Sequence, residues 1–484
     1  MSECDKGSAA PPRNLMPAAW IVFGAWIVLA VFSSRCLYAD GSHEFIRVLE
    51  ARNFVSLMWS RHFAFYLYEF PLVIAIKLGV TNMSWLRFAF GLGCFLPWPV
   101  VLLCCRWISP QHFWIAVVGC AAGYLNACYM AVGEHILAHA FFWSSLFVIV
   151  FGRPLKPPAA VILLASATAL LFSYESQFLL CLPLAGLSCW RMVAEMRERP
   201  RQPKIWSWIV LAVAGGLFFT ASGIGLYAIL NPEIPTNYAG FRANVEAILS
   251  NRGWTLNWSL AWGGLMLAAA FSKKIWELIC QRTGMVILFF ALFLWGMAPL
   301  LAPNALEPAR QYNNRILDLV VPLVLLPAVL ILKYRPLWIG DKAAALSQMA
   351  AIFLMVQSVW QINATWQWQR DVGKLQGILT SYRGVVPLDS TIMAGSSMES
   401  WTREFDWTWP CLSIALNPGP QIRCLVCSKL YVAPEYRDRF HFWQPFDPLD
   451  FKTLPDLRHY GINFDDYIET LQTNSTPPEP GLGR

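Results

Sequence analysis

The chain consists largely of long apolar runs separated by short polar segments. A helix needs roughly 20 apolar residues to cross about 30 Å of hydrocarbon, and many of the runs approach that length. We therefore predict an all-α polytopic membrane protein with about eleven spans. The predicted spans lie near residues 16–38, 84–105, 112–131, 136–152, 157–174, 176–190, 205–230, 257–272, 284–302, 316–333 and 343–362. The sixth is short, so we expect it to be tilted or lengthened at its ends.

The apolar run 66–78 is predicted to be a helix that lies at the membrane interface, because it contains Glu69, Pro71 and Lys77. The charges of the loops favour this interpretation. If the amino terminus is cytoplasmic and this run does not cross, the basic segment 191–204 faces the cytoplasm, as the positive-inside rule requires. A crossing run would turn that segment outward. We therefore expect a cytoplasmic amino terminus and an extracytoplasmic carboxyl terminus.

The amino-acid composition indicates whether the chain is expected to bind a lipid bilayer or nucleic acid. Of the 484 residues, 56% are hydrophobic and 14% are charged, whereas about a quarter of an average soluble domain is charged. The net charge of +7 could suggest nucleic acid, but the cations fall in short clusters between apolar runs. The lipid bilayer is therefore the expected partner, and no nucleic acid is expected.

Polar and turn-forming residues return after the last predicted span. We divide the chain into a cytoplasmic tail (1–15), a membrane domain (16–362) with its first outer loop at 39–83, and a small extracytoplasmic domain (363–484). The last is expected to be α/β or irregular. No small-residue cleavage site follows the first span, which predicts a retained anchor.

Three cysteines, Cys411, Cys424 and Cys427, lie in this carboxy-terminal domain. In an oxidising compartment they predict a structural disulfide. Because Cys424 and Cys427 have the C-x-x-C spacing, a redox pair is the alternative.

With this orientation, ionisable residues collect on the outer face. They are Asp40, His43 and Glu44 after the first span, Glu69 in the interfacial run, Glu134, His135 and His139 near the third-to-fourth turn, Glu175 at the fifth-to-sixth turn, and Arg310 and Arg315, with Tyr312, in a later outward loop. Ionisable groups at membrane depth are costly, so they usually face a cavity and carry function.

The spacing of the first acids suggests a chemistry. If a helix begins at Asp40, then Asp40 and Glu44 share one face, with His43 beside them. A carboxylate there could take a proton from an acceptor hydroxyl or hold a divalent metal. Arg310 and Arg315 could clamp phosphate oxygens through their planar forks of donors. Together these groups fit the transfer of a group from a phosphate leaving group at the outer membrane surface.

Each residue also has a plainer interpretation. Asp40 could cap the helix that follows it, and Glu134 with His135 could form an ordinary solvated turn. Glu175 could be structural. Arg310 and Arg315 could extend toward lipid headgroups.

Three segments carry a family resemblance: Tyr38-Ala39-Asp40-Gly41-Ser42-His43-Glu44-Phe45, then Tyr68-Glu69-Phe70-Pro71-Leu72, then Trp85-Leu86-Arg87-Phe88. Their order resembles that of the C-type (GT-C) membrane glycosyltransferases, in the branch of protein O-mannosyltransferases and lipid A aminoarabinose transferases. The chain is a divergent match, because Gly41 to His43 separate acids that are adjacent in the family. Glu69-Phe70-Pro71-Leu72 likewise stands in place of His-Pro-Pro-Leu.

The resemblance implies transfer of a sugar from a polyprenyl-phosphate donor to a glycan, lipid or protein acceptor outside the cytoplasm. Asp40 would take the acceptor proton, and Glu44 and Glu134 would assist, through a divalent metal held by all three. The implied substrate-binding residues are His43, Glu69, His135, Arg310, Tyr312 and Arg315.

Two other functions stay open: a transporter or flippase of envelope lipid or polysaccharide, and a non-catalytic partner in polysaccharide synthesis. The chain has no evident repeated halves, which transporters often have. The inside loops have no P-loop or dinucleotide motif, so an activated sugar would arrive on a lipid. Compact loops and the lack of a long Ser/Thr-rich region favour a bacterial inner membrane.

Overall fold

The computed structural model describes residues 15–56, 58–123, 133–152, 155–198, 205–231, 343–388, 408–428 and 446–475, with scattered positions between 261 and 333. This part of the chain is mostly helical. Its helices are α1 (Met16–Phe32), α2 (Asp40–Ala51), α3 (His62–Lys77), α4 (Met83–Phe95), α5 (Pro97–Ile108), α6 (Phe113–Gly123), α7 (Glu134–Phe151), α8 (Pro157–Leu170), α9 (Phe178–Glu198), α10 (Ile205–Leu230), α11 (Ala343–Ser381), α12 (Trp409–Leu416) and α13 (Asp465–Ser475).

Within the part of the chain that the structure describes, five helical segments are long and apolar enough to cross a membrane by length and composition: α4 with α5, α7, α9, α10 and α11. Helices α1, α6 and α8 are shorter and also apolar. These helices coincide with the first seven predicted spans and the last one. The sixth span is lengthened at its carboxyl end, as expected, because α9 continues to Glu198. The eighth, ninth and tenth lie mostly outside the described residues.

Exposed aromatic side chains mark both ends of two of these segments. Trp85 and Trp107 are exposed on α4 and α5, and Trp206 and Tyr227 are exposed on α10. The members of each pair are roughly 20 residues apart, which is about 30 Å along a helix and matches the hydrocarbon thickness. Trp and Tyr are enriched at membrane–water interfaces. The pattern is that of a membrane protein.

The segment that follows α1 is tied to α11. Arg35 is fully buried, and its guanidinium donates to Thr365 Oγ1 at 3.1 Å and to Gln361 Oε1 at 2.5 Å. Trp368 Nε1 donates to the carbonyl of Ser33 at 3.0 Å. These bonds fix the position from which α2 starts.

Helix α11 is unusually long. Its 39 residues correspond to about 58 Å, nearly twice the hydrocarbon thickness. It includes the eleventh predicted span and continues past residue 363, where the extracytoplasmic domain was predicted to begin. The carboxy-terminal domain is therefore joined to the membrane part by an unbroken helix.

The carboxy-terminal domain contains a parallel strand pair, β1 (Gly384–Leu388) and β2 (Cys424–Ser428), with Gly384 opposite Cys424. Helix α12 lies between them in sequence and packs on β2 and α2; the backbone N–H of Val426 donates to Ser413 Oγ at 3.0 Å. The described part of this region thus contains a small parallel sheet with a helix packed against it.

The three cysteines of this domain do not form the predicted disulfide. Cys411, Cys424 and Cys427 are all buried free thiols. Cys411 lies on α12 and the other two lie on β2. They pack as small apolar side chains in the interior of the domain.

Candidate functional site

Helix α2 begins at Asp40, which places Asp40 and Glu44 one turn apart on the same face. The residue before it, Ala39, has φ 48° and ψ −126°, a backbone conformation that costs energy outside glycine and persists only where its surroundings hold it. Ser42 Oγ donates to the carbonyl of Ala39 at 3.0 Å. Ala39 occupies the capping position, so Asp40 is the first helical residue and the capping interpretation is wrong. Its carboxylate is favourable in that first turn.

The second acid of α2 meets the acid of α3. Glu44 is 2% exposed and Glu69 is 0% exposed, and the charge of Glu69 contributes to the raised pKa of Glu44. Glu69 Oε2 accepts from the backbone N–H of Val55 at 2.9 Å. Helices α2 and α3 therefore each contribute one buried carboxyl group to the same place.

Arg61 connects two further acids. Its Nη1 lies 3.1 Å from Glu134 Oε1 at the start of α7, and its Nε lies 2.8 Å from Glu175 Oε1. Ser60 Oγ donates to the same Glu175 oxygen at 2.7 Å, and the guanidinium carbon is 4.8 Å from the centroid of the Tyr174 ring. Glu134 is 8% exposed, so the solvated-turn interpretation is wrong.

These residues gather at one end of the helices. The backbone N–H of Phe63 donates to the carbonyl of Phe172 at 3.0 Å, and the rings of Trp59 and Tyr227 are 6.0 Å apart. At Gly225 of α10, a β-carbon would lie 2.5 Å from the carbonyl oxygen of Glu175. The first loop, the starts of α7 and α9 and the end of α10 therefore meet.

We call this group the acidic cluster. Its members are Asp40, Glu44, Glu69, Glu134 and Glu175, together with Arg61 and Tyr68.

Burial and neighbouring charges shift the pKa values of several side chains in the acidic cluster. Burial, with the nearby Glu69, Glu134 and Asp40, raises the pKa of Glu44 well above its usual range. Burial raises the pKa of Glu69 to about 8, although the hydrogen bond from Val55 N–H opposes the change. Burial would also raise the pKa of Glu175, but the ion pair with Arg61 holds it below its ordinary value.

Tyr68 has a buried hydroxyl in the same place. Its side chain is 1% exposed, and the nearby Glu134, Glu44 and Glu69 add to burial in raising its pKa. Among the residues that the structure describes, the Tyr68 hydroxyl, Glu44 Oε2 and Glu69 Oε1 meet no hydrogen-bond partner, although buried polar groups are normally bonded.

The close approach of two helices positions Tyr68. At Gly93 of α4, a β-carbon would lie 1.9 Å from the carbonyl oxygen of Tyr68. Only glycine leaves room for the backbone of α3 at this point. The sequence analysis did not select Tyr68 as a site residue, because its neighbours in the chain are mostly apolar. The adjacent Glu69, which was selected, is the sequence feature that could have indicated it.

The three histidines singled out in the sequence lie at different places in the structure. His43 and His135 are buried on α2 and α7, and the ring of His135 is 5.6 Å from that of Tyr174. His139 is one turn further into α7, where its Nε2 lies 3.0 Å from the carbonyl of Gly119 and accepts from Trp143. His139 therefore packs in the interior.

The predicted phosphate-binding and metal-binding roles stay predictions. Arg310, Tyr312 and Arg315 lie outside the described residues. Within the residues that the structure describes, no three His, Cys, Asp or Glu side chains form a group that could hold a metal ion. The metal role of Asp40, Glu44 and Glu134 stays a prediction.

Comparison with protein-family models, with curated proteins and with solved structures gave no match to this chain.

Proposed function

We propose that this chain is a membrane glycosyltransferase that moves a sugar from a polyprenyl-phosphate donor to a glycan, lipid or protein acceptor. The observation that carries the proposal is the meeting of the first-loop acids with Glu134 at one end of a set of apolar helices. A donor with a lipid tail can stay in the bilayer there while its sugar reaches the carboxylates. The family resemblance of the first loop agrees with this arrangement.

Asp40 is the proposed general base. Its side chain is half-buried, whereas Glu44 is buried. The acceptor oxygen would attack the anomeric carbon, and the carbon–oxygen bond to the phosphate would break with its electron pair leaving on polyprenyl phosphate. Asp40 would take the acceptor proton. Arg310 and Arg315 remain the proposed donors to the phosphate.

The proposal includes a topology of eleven spans with a cytoplasmic amino terminus, an interfacial α3 and an extracytoplasmic carboxy-terminal domain. The loop charges support it through the positive-inside rule. We place the protein in a bacterial inner membrane, with the acidic cluster on the outer side.

The test is sugar transfer by the purified chain from polyprenyl-phosphate-linked hexoses and pentoses. We expect Asp40→Asn to lose transfer by a factor of at least about 100 while its melting temperature is kept. Asp456→Asn, whose carboxylate is on the surface, is the control and should transfer like the native chain.

Two results would contradict the proposal. Full activity of Asp40→Asn would remove this carboxylate from the mechanism. Movement of the labelled donor lipid across proteoliposomes, with no glycosidic product from any donor, would favour the transporter.

A further inference from the structure

The hydroxyl group of Tyr68 is buried beside the acids of the first loop without a bonding partner. The Tyr68 side chain is 1% exposed, and within the described part of the chain its oxygen meets no donor or acceptor. Buried polar groups are normally hydrogen-bonded, so an exception needs an explanation. A buried hydroxyl group without a partner costs free energy, and the fold gains nothing from it.

The packing around Tyr68 holds its ring in place. The carbonyl oxygen of Tyr68 fills the space beside Gly93, so the backbone of α3 has no room to shift toward α4. The Tyr68 ring meets the Phe90 ring of α4 edge to face, with centroids 6.4 Å apart, and the Phe90 ring lies 5.7 Å from that of Phe45 on α2. Contacts between rings therefore link Tyr68 to the segment of α2 that carries Glu44.

Two carboxyl oxygens in the same region also have unused hydrogen-bonding capacity. Glu44 Oε2 and Glu69 Oε1 are buried, and no described residue donates to them. Glu69 directly follows Tyr68 on α3, and its other oxygen is fixed by the backbone N–H of Val55 at 2.9 Å. Glu44, Glu69 and Glu134 all lie near enough to affect the pKa of Tyr68. One hydroxyl group and two carboxyl oxygens thus share a buried region in which the protein does not use them.

The charge of this region indicates the kind of ligand. A phosphate group is anionic, and the surrounding carboxylates would repel it. The guanidinium of Arg61 is already bonded to Glu134 and Glu175. A sugar hydroxyl group is neutral, and it can donate to a carboxyl oxygen and accept from a phenol at the same time. The region therefore suits the hydroxyl groups of a sugar ring better than it suits a phosphate.

We propose that the Tyr68 hydroxyl group binds the sugar ring of the donor, with Glu44 Oε2 and Glu69 Oε1 as acceptors for neighbouring sugar hydroxyl groups. This inference rests on the proposed function for the identity of the donor, and it adds a specificity-determining residue. Only a sugar with a hydroxyl group in reach of Tyr68 gains this bond. The subsite contributes to the affinity for the sugar and not to the affinity for the lipid phosphate.

The first experiment compares the thermal stability of two Tyr→Phe variants without ligand. Tyr68→Phe removes only a hydroxyl group that has no partner in the described protein, so the melting temperature should stay the same or rise. Tyr467→Phe is the matched control. Its hydroxyl group is also buried but donates to the carbonyl of Pro448 at 2.5 Å, so its loss should lower the melting temperature. A less stable or unfolded Tyr68→Phe would mean that the fold needs this hydroxyl group, and it would overturn the inference.

The second experiment measures the binding of two kinds of lipid in detergent micelles. One is a polyprenyl-phosphate-linked sugar, taken from a panel of hexoses and pentoses, and the other is polyprenyl monophosphate. The native chain should bind at least one sugar-bearing lipid more tightly than the monophosphate. In Tyr68→Phe the Kd of that lipid should rise about 3- to 10-fold, as for one lost hydrogen bond, while the Kd of the monophosphate stays unchanged. Tyr467→Phe should bind both lipids like the native chain.

The outcomes separate this inference from the proposed function. If binding of the sugar-bearing lipid depends on Tyr68 in this way but no sugar is transferred, the inference holds and the proposed function fails. If sugar is transferred and Tyr68→Phe binds the donor like the native chain, the proposed function holds and the inference is wrong, because trapped water would then satisfy the three oxygens. A native chain that prefers no sugar-bearing lipid over the monophosphate would also overturn it. Where transfer is observed, Tyr68→Phe should raise KM with kcat nearly unchanged.

Discussion

At the scale of a single residue, Arg61 holds the acidic cluster together. Its planar guanidinium reaches two carboxylates from different helices and lies against an aromatic ring, which a lysine ammonium cannot do in the same geometry. Its partners are 73 and 114 positions away in the chain.

Removing this cation should leave the buried carboxylate of Glu134 and the partly buried carboxylate of Glu175 without their ion-pair partner. We expect Arg61→Gln to lower the free energy of unfolding by about 3–5 kcal/mol and Arg61→Lys to recover only part of that loss. Thermal unfolding of the purified protein measures both. Arg423→Gln breaks an exposed pair with Asp466 and should cost at most about 1 kcal/mol. Equal stability of all three variants would mean that Arg61 does not hold the cluster.

Sequence and structure agree best where the chemistry is local. The four-residue spacing of Asp40 and Glu44 predicted their shared helix, because helical geometry repeats over that distance. Arg61 and Tyr68 could not be found in this way. Their roles depend on contacts with α7, on the segment that precedes α9 and on Gly93 of α4, and no local pattern encodes such contacts.

At the scale of a secondary-structure element, the contact between α3 and α4 determines the geometry of the acidic cluster. The two helices approach so closely at Gly93 that the carbonyl oxygen of Tyr68 occupies the space of a side chain. Because Tyr68 and Glu69 are adjacent on α3, any separation of the helices moves both.

Gly93→Ala should therefore destabilise the protein although alanine favours helices. We expect a loss of about 1–3 kcal/mol from overpacking, together with weaker binding of the sugar-bearing lipid. Gly24→Ala on α1 is the matched control, because no atom lies within 4 Å of its added β-carbon; it should be neutral or stabilising by up to about 1 kcal/mol. A stable Gly93→Ala variant with native binding would contradict this packing argument.

The lengths of the apolar runs predicted where the apolar helices lie, but they did not predict how far α11 continues. Apolar length alone located α1, α4 to α10 and the start of α11. It could not foresee that α11 continues to Ser381, because the polar residues beyond the apolar run are compatible with both a helix and a loop. Contacts with α12, such as the bond from Gln376 to the carbonyl of Leu416, stabilise the extension.

The orientation of the whole molecule determines whether the acidic cluster can meet an extracytoplasmic acceptor. Single cysteines introduced at the exposed positions Lys452 and Arg197 can test it, with the native chain as the background. We expect a membrane-impermeant maleimide to label Lys452→Cys in intact cells and Arg197→Cys only after permeabilisation. The opposite result would put the cluster on the cytoplasmic side and end the proposed function.

The burial of α12 has a consequence for how the protein is made. All eight residues of α12 are buried, and the contacts that cover α2 join residues very far apart: Ser42 donates to the carbonyl of Thr408, 366 positions later, and Tyr460 donates to that of Leu49, 411 positions earlier. A ribosome delivers the amino-terminal helices first. Helix α2 therefore cannot complete its tertiary contacts until almost the entire chain has been synthesised.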